Sequence, residues 1–312
     1  MYGLADDFPL FALLPGAQGA AETIAELRRM GKRILFVTNN SSKSRRDYVK
    51  KFERLGIAGV QVDHVIGAAY TAVEWLQENN HNKKVMVIGP EGILRELEEA
   101  NIPYQCATSE HPGRARGRGR GRGREKRLLL TRAFLTPTAV CSFSECNCTV
   151  DDFRELVKSV DEDISAVVVG ADESFSYRKL CIASIAIQRG AAFVVTNGDT
   201  FDRIGNLLMP GTGALSAAIS ASTDKMPSVI TGKPYSFLID TLRKKYGVDF
   251  AKTLVVGDRL DTDIAMGRNA DAAICCHVLT GVSTLQDAAT AYANQSSCAP
   301  HVCIQSIASL LD

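Results

Sequence analysis

No stretch of this 312-residue chain approaches the ~18 consecutive apolar residues that a membrane-crossing helix needs, and its start has none of the grammar of a secretory leader. Nor is there a C-x-x-C pair among the nine cysteines. The tightest group, Cys141, Cys146 and Cys148, has no histidine beside it to complete a zinc site. There is no marked excess of either charge, the formal balance being +1. These absences argue against a membrane protein, a disulfide scaffold and a zinc module. They lead to the expectation of unpaired thiols in a reducing, cytoplasmic compartment.

What is present is ordinary for a folded chain: 46% hydrophobic, 23% charged and 7% aromatic residues, and length enough for about two domains. The near-neutral balance hides one local exception. Between Gly113 and Arg127, six arginines alternate with small residues (Arg114 to Arg124), and the window carries +7, which leaves −6 on the rest. Such a tract can contact polyanion phosphates without sequence preference. It has no interleaved aromatic residue to stack on bases, so nucleic acid is not the expected partner.

Elsewhere short apolar runs alternate with amphipathic helical patterns, the mark of a parallel sheet covered on both faces. Strands are expected near 34–37, 64–67, 85–88, 166–169, 193–196, 229–230, 254–256 and 273–277, with helices between them. From about 106 to 150 no period of 2 or 3.6 persists. The expected architecture is α/β, an open doubly wound sheet with an inserted second α/β unit.

In such sheets ligands bind beyond the carboxyl ends of the strands. Three strand ends there carry chemistry. Thr38-Asn39-Asn40-Ser41 offers a hydroxyl and successive amides to an anion, although the same residues are common helix caps. Lys233, between Gly232 and Pro234, can neutralise a phosphate. Asp258 and Asp263, within GDRLDTD, can converge on one hard cation such as magnesium, or act only as a cap and first-turn acids. Together they describe a magnesium-dependent phosphoryl-transfer site.

These stretches carry a resemblance. FVTNNSSKSR at 36–45, VVVGADESFSY at 167–177, TNGD at 196–199, PGTG at 210–213, GKP at 232–234, VGDRLDTDI at 256–264 and LTGVS at 279–283 follow one another as in the haloacid dehalogenase (HAD) superfamily. The chain resembles its phosphoglycolate phosphatase and 4-nitrophenylphosphatase branch, which bears a large α/β cap. The resemblance implies that residues 1–81 and 227–312 form a Rossmann-like HAD core and that 82–226 form the cap, with an irregular insert at about 107–145. It implies phosphate binding by Thr38, Asn39, Asn40 and Lys233, a magnesium ion held by Asp258 with Asp263 in an outer role, and substrate contacts from Asn197 and Asp199 on the cap. A homodimer through the cap is a further expectation. The substrate expected is a small phosphomonoester, 2-phosphoglycolate first, with pyridoxal 5′-phosphate or glycerol 3-phosphate as alternatives.

One family element is lacking. The Asp-x-Asp-Gly motif, whose first aspartate is the nucleophile that becomes aspartyl-phosphate and whose second is the acid and base, has no counterpart. Counting back from Pro15-Gly16 by the family's spacing reaches Tyr2 and Leu4. The expectations are therefore that the central first strand is missing and that this chain is inactive, either from an incomplete gene model or as a pseudophosphatase whose Arg-Gly tract binds RNA. A chloroplast location would follow if the true N-terminus carried a transit peptide.

Overall fold

A computed structural model describes residues 10–12, 19–81, 83–107, 150–204 and 207–311. The Gly-Arg tract, Cys141, Cys146 and Cys148 lie outside the described residues. Two parallel sheets organise them. The first has six strands in the order Val302–Ile304, Ile274–Val278, Leu254–Gly257, Leu10–Ala12, Ile34–Thr38 and Val65–Gly67. The second has five, in the order Val229–Ile230, Ala192–Val195, Ala166–Val169, Val85–Ile88 and Tyr104–Cys106.

The expectation of a missing central strand is overturned. Leu10–Ala12 lies between the strands that carry Asp258 and Thr38, with Ala12 opposite Val256 and Phe11 opposite both Val255 and Leu35. The physical reason is plain in the sequence. A central position in a covered parallel sheet wants a short apolar run, and Leu10-Phe11-Ala12 supplies one nearer Pro15 than the family's spacing does. The strand is present, and the sequence continues from Ala12 with Leu13 and Leu14, neither of them an acid.

Local rules explain the neighbouring elements. Ile34–Thr38 is buried along its whole length, its side chains alternating between two clusters: Leu35 and Val37 on one face, Ile34 and Phe36 on the other. The preceding helix, Ala20–Arg29, buries Ala20, Ile24 and Leu27 and ends before Gly31, whose φ of 76° suits a residue without Cβ. Helix Arg45–Arg54 starts with a capping box in which Ser44 and Asp47 satisfy each other's amides.

The two sheets meet through helix Ala68–Glu78. Its Ala69, Ala72, Val73 and Leu76 pack with Val85, Val87, Ile93 and Leu97 of the second sheet's layer, whereas Tyr70 joins the first sheet's cluster. The second sheet also keeps Val229–Ile230, which pairs with Val194 and Val195. The second sheet thus extends from Val85 to Ile230, its last strand lying past residue 226. Its antiparallel hairpin, Phe201–Ile204 with Leu207–Pro210, was not foreseen. No helix among the described residues is long and apolar enough to cross a membrane.

Candidate active site

The first sheet delivers Thr38 and Asp258 to one edge, and the second sheet's last strand delivers Lys233. Lys233 is 4% exposed; its ammonium donates to Asp263 Oδ1 at 2.5 Å and to the carbonyl of Val37 at 3.2 Å. Asp263 Oδ2 accepts from the Arg259 amide at 3.1 Å. The acid reaches that position only because residue 257 is glycine: a Cβ there would stand 2.1 Å from Asp263 Cβ. Beside it, Asp258 accepts from the Val282 amide at 2.9 Å, under Gly281. Burial, reinforced by the nearby Asp263 charge, pushes the Asp258 carboxyl above the ordinary range.

Thr38 Oγ1 accepts from the Asn40 amide at 3.2 Å, and its hydroxyl also meets that of Tyr48. Asn39 has a different part from the one expected. Its Oδ1 accepts from the Lys233 amide at 2.7 Å, and its Nδ2 donates to the Lys233 carbonyl at 3.1 Å and to Asp199 at 3.1 and 3.3 Å. That side chain is spent on holding Lys233 and has nothing left for a phosphate. Asn40 is exposed, its Oδ1 accepting from the Ser42 amide at 2.8 Å.

Asn197 and Asp199 face the first domain across the interface. Asn197 Nδ2 donates to the Asn39 carbonyl at 2.9 Å. Burial raises the Asp199 carboxyl, against the pull of Arg259, whose guanidinium stands 4.0 Å away. Arg259 was within a quoted motif but not among the expected site residues. It is held by Asp261 at 2.7 and 3.1 Å, and that contact raises its own pKa.

A cavity of about 300 Å³ opens beside this network. One wall is the loop after Thr38, with Ser41 and Ser42; the other carries Glu173, Asp199, Asp202 and Thr212. The loop is clamped from the inserted unit. Arg45 donates to Glu96 through its amide at 2.6 Å and through Nε at 3.0 Å, and Arg95 grips Asp47 at 2.7 and 2.8 Å. Gly92 sits so close that a Cβ would lie 2.3 Å from the Ser41 carbonyl. Sequence patterning gave no signal for this clamp, since its partners are far apart in the chain.

Among the described residues, Asp258 is the one carboxylate of this cluster left free for the expected magnesium ion. No group of three or more His, Cys, Asp or Glu side chains is placed to hold a metal among the described residues. Both oxygens of Asp263 are engaged by Lys233 and the Arg259 amide. Asp258 offers a carboxylate oxygen outside its Val282 contact, the least that magnesium needs, since it commonly binds through one or two carboxylates with substrate and water.

A haloacid dehalogenase-like hydrolase model matches residues 16–103, and a HAD-hydrolase-like model matches 230–310. Phosphoglycolate phosphatase 2 of Arabidopsis thaliana is 34% identical over 271 residues, which span 85% of this chain and 78% of that protein. This chain belongs to the haloacid dehalogenase-like hydrolase family. The same plant's chloroplastic phosphoglycolate phosphatase 1A is 35% identical over 86% of this chain, which spans 65% of that longer protein. In fold the HAD-like chain matches the 4-nitrophenylphosphatase of Thermotoga maritima with a TM-score of 0.70, at 23% identity, over 98% of this chain and 95% of that one. The inserted α/β unit is part of that shared architecture.

Proposed function

We propose that this chain is a phosphomonoester-binding member of its family, of the phosphatase type, whose turnover is abolished by the loss of the nucleophile. The observation that carries this reading is the composition of the sheet edge. A lysine ammonium, a threonine hydroxyl and Asp258 converge there, while the central strand between them ends at Ala12 without an acid. Thr38 and Lys233 bind the phosphoryl group, Asn39 fixes Lys233, and the inserted unit covers the site as a cap that excludes water. The ligand is a small phosphomonoester. The names of the relatives put 2-phosphoglycolate first in any panel.

Magnesium belongs to the activity of the family type, and Asp258 is the residue that would hold it, with substrate and water completing the ligation. No step is assigned to the ion. The exposed apolar strand of the hairpin, with Leu207 at 64% and Leu208 at 51% exposure, supports a homodimer through the cap.

Hydrolysis of 4-nitrophenyl phosphate and 2-phosphoglycolate, measured with magnesium present, tests the reading. The expected turnover is on the order of 10⁶-fold below that of a nucleophile-bearing relative, the scale lost when a nucleophile is removed. Robust hydrolysis that disappears in Asp258→Asn would show that another group in this chain does the nucleophile's work.

A further inference from the structure

A second cavity, of about 360 Å³, differs in character from the one at the sheet edge. The two share Ser42, and the second holds none of Thr38, Lys233 or Asp258. Its walls are the loop at Ser42 and Lys43, helix Arg45–Arg54 and the start of helix Glu91–Glu99. Every side chain that lines it is polar or charged. Five are cations and two are carboxylates, an excess of three positive charges.

Both carboxylates are already taken. Arg95 binds Asp47 at 2.7 and 2.8 Å and Glu91 at 2.8 Å, and Asp47 also accepts from the Ser44 hydroxyl at 2.8 Å. Lys43, Lys50, Lys51 and Arg54 are left without an acid in ion-pair range among the described residues. Lys50 and Arg54 stand one turn apart on their helix, a spacing at which like charges repel. The helix dipole accounts for Lys51 and Arg54, which lie in the last turn. It does not account for Lys43, which directly precedes the N-cap Ser44, at the end where a cation is disfavoured. The Lys43 charge is also felt at Lys51: burial, with the Lys43 ammonium added, holds the Lys51 pKa below its ordinary value. Such convergence of cations costs stability unless an anion offsets it.

We propose that this cavity is a second anion site, for a compact, multiply charged oxyanion of the diphosphate class, held by Lys43, Lys50, Lys51 and Arg54. Two linked phosphates suit it better than one, because its free cations are spread over a helical turn and the loop before the helix. A nucleoside attached to the diphosphate gains nothing, since no aromatic or apolar side chain lines the walls to receive a base. The walls are set before any ligand arrives. Arg95 ties the two helices together, and Gly92 packs so closely that a Cβ would lie 2.6 Å from the Lys43 amide nitrogen. Little ordering is then left to oppose binding.

Pyrophosphate is the probe, titrated calorimetrically into the full chain at fixed ionic strength and without magnesium, which would chelate it. Brief lysine acetylation followed by mass spectrometry reads which ammonium groups the anion covers. The expected result is that pyrophosphate binds, that it slows acetylation of Lys43 and Lys51, and that Lys50→Gln combined with Arg54→Gln weakens binding about tenfold. Both of those positions are exposed, so the exchange leaves packing alone. Lys83→Gln combined with Lys244→Gln removes the same charge from exposed positions elsewhere and is expected to change the affinity by less than about twofold. ADP is expected to bind no more tightly than pyrophosphate.

A chain that does not bind pyrophosphate overturns the proposal. An equal loss in the Lys83 and Lys244 pair overturns it as well, because the effect would then belong to the overall charge. Binding that leaves acetylation of Lys43 and Lys51 unchanged places the anion elsewhere and also overturns it. ADP binding more tightly than pyrophosphate would refute the choice of a free diphosphate.

Discussion

Replacing Lys233 with methionine isolates the contact on which the site's geometry depends. The ammonium and the Asp263 carboxylate are 2.5 Å apart, and their side chains are only 4% and 6% exposed. At an effective dielectric near 20 the attraction at that distance is about 7 kcal/mol gross, and the desolvation of two ions consumes most of it. The pair's net contribution is therefore small. Breaking it is not, because Lys233→Met leaves Asp263 buried with only the Arg259 amide as partner. The expected loss is about 3–5 kcal/mol, the range for stranding one buried charge. Asp263→Asn strands the ammonium against the Val37 carbonyl and is expected to cost a similar amount. The double variant Lys233→Met/Asp263→Asn has no stranded charge and is expected to lose only about 1–2 kcal/mol, the ordinary cost of altered buried polar contacts. Urea unfolding reads all four proteins, with Trp75, the single tryptophan, as a fluorescence reporter where the two sheets' layers meet. Additive single losses, or single losses below about 1 kcal/mol, would refute a buried, coupled pair.

Four further outcomes are expected. Gly92→Ala drives a Cβ against the Ser41 carbonyl at 2.3 Å, so helix Glu91–Glu99 must shift from the loop; a loss of about 3 kcal/mol or more in chemical denaturation is expected. Glu96→Ala removes the acceptor of both the Arg45 amide and its guanidinium, and about 3 kcal/mol should be lost, measured the same way. The Asp199 carboxyl is raised by burial, so wild-type stability falls as pH rises from the unfolded carboxylate value near 3.9 through the higher folded value, and the cost is constant above it. Asp199→Asn, which does not titrate, should therefore gain in melting temperature relative to wild type on going from pH 4 to pH 8; an unchanged difference would contradict the shift. The proposed homodimer through the exposed hairpin strand predicts a dimer for the parent chain and a monomer for Leu208→Asp, read by light scattering across a dilution series.

Much of this molecule was legible because its elements obey local rules. The strands Val85–Ile88 and Val229–Ile230 and the helix Tyr177–Gln188 follow from apolar runs and helical spacing alone. What escaped was either short, exposed or long-range. The hairpin Phe201–Ile204 with Leu207–Pro210 has an outer strand whose residues are all exposed, so no inside-outside alternation announces it. Helix Leu285–Ala293 was missed although Thr284 and Asp287 form a readable capping box before it. The part played by Asn39 could not be read at all, because hydrogen bonds to residues 160 and 194 positions away define it.

The first strand is the most instructive case, because family spacing and the observed sheet part company there. Family spacing reached Tyr2 and Leu4 and led to the expectation of no strand, whereas the pairing with Leu254–Gly257 and Ile34–Thr38 falls on the apolar run Leu10-Phe11-Ala12, which was not among the expected strands. A sheet interior tests a segment only for apolar side chains and for backbone groups that can pair. It does not test for the acid that would follow at the strand's end. Fold and catalysis are thus selected by different residues of one segment, and a chain can satisfy the first requirement while failing the second. The buried Lys233–Asp263 pair and the Asn39 bonds to Lys233 are made without any contact to the missing acids. The proposed ligand binding at this edge is for that reason separable from turnover, and the measurement that distinguishes them is phosphate affinity beside hydrolysis in the same preparation.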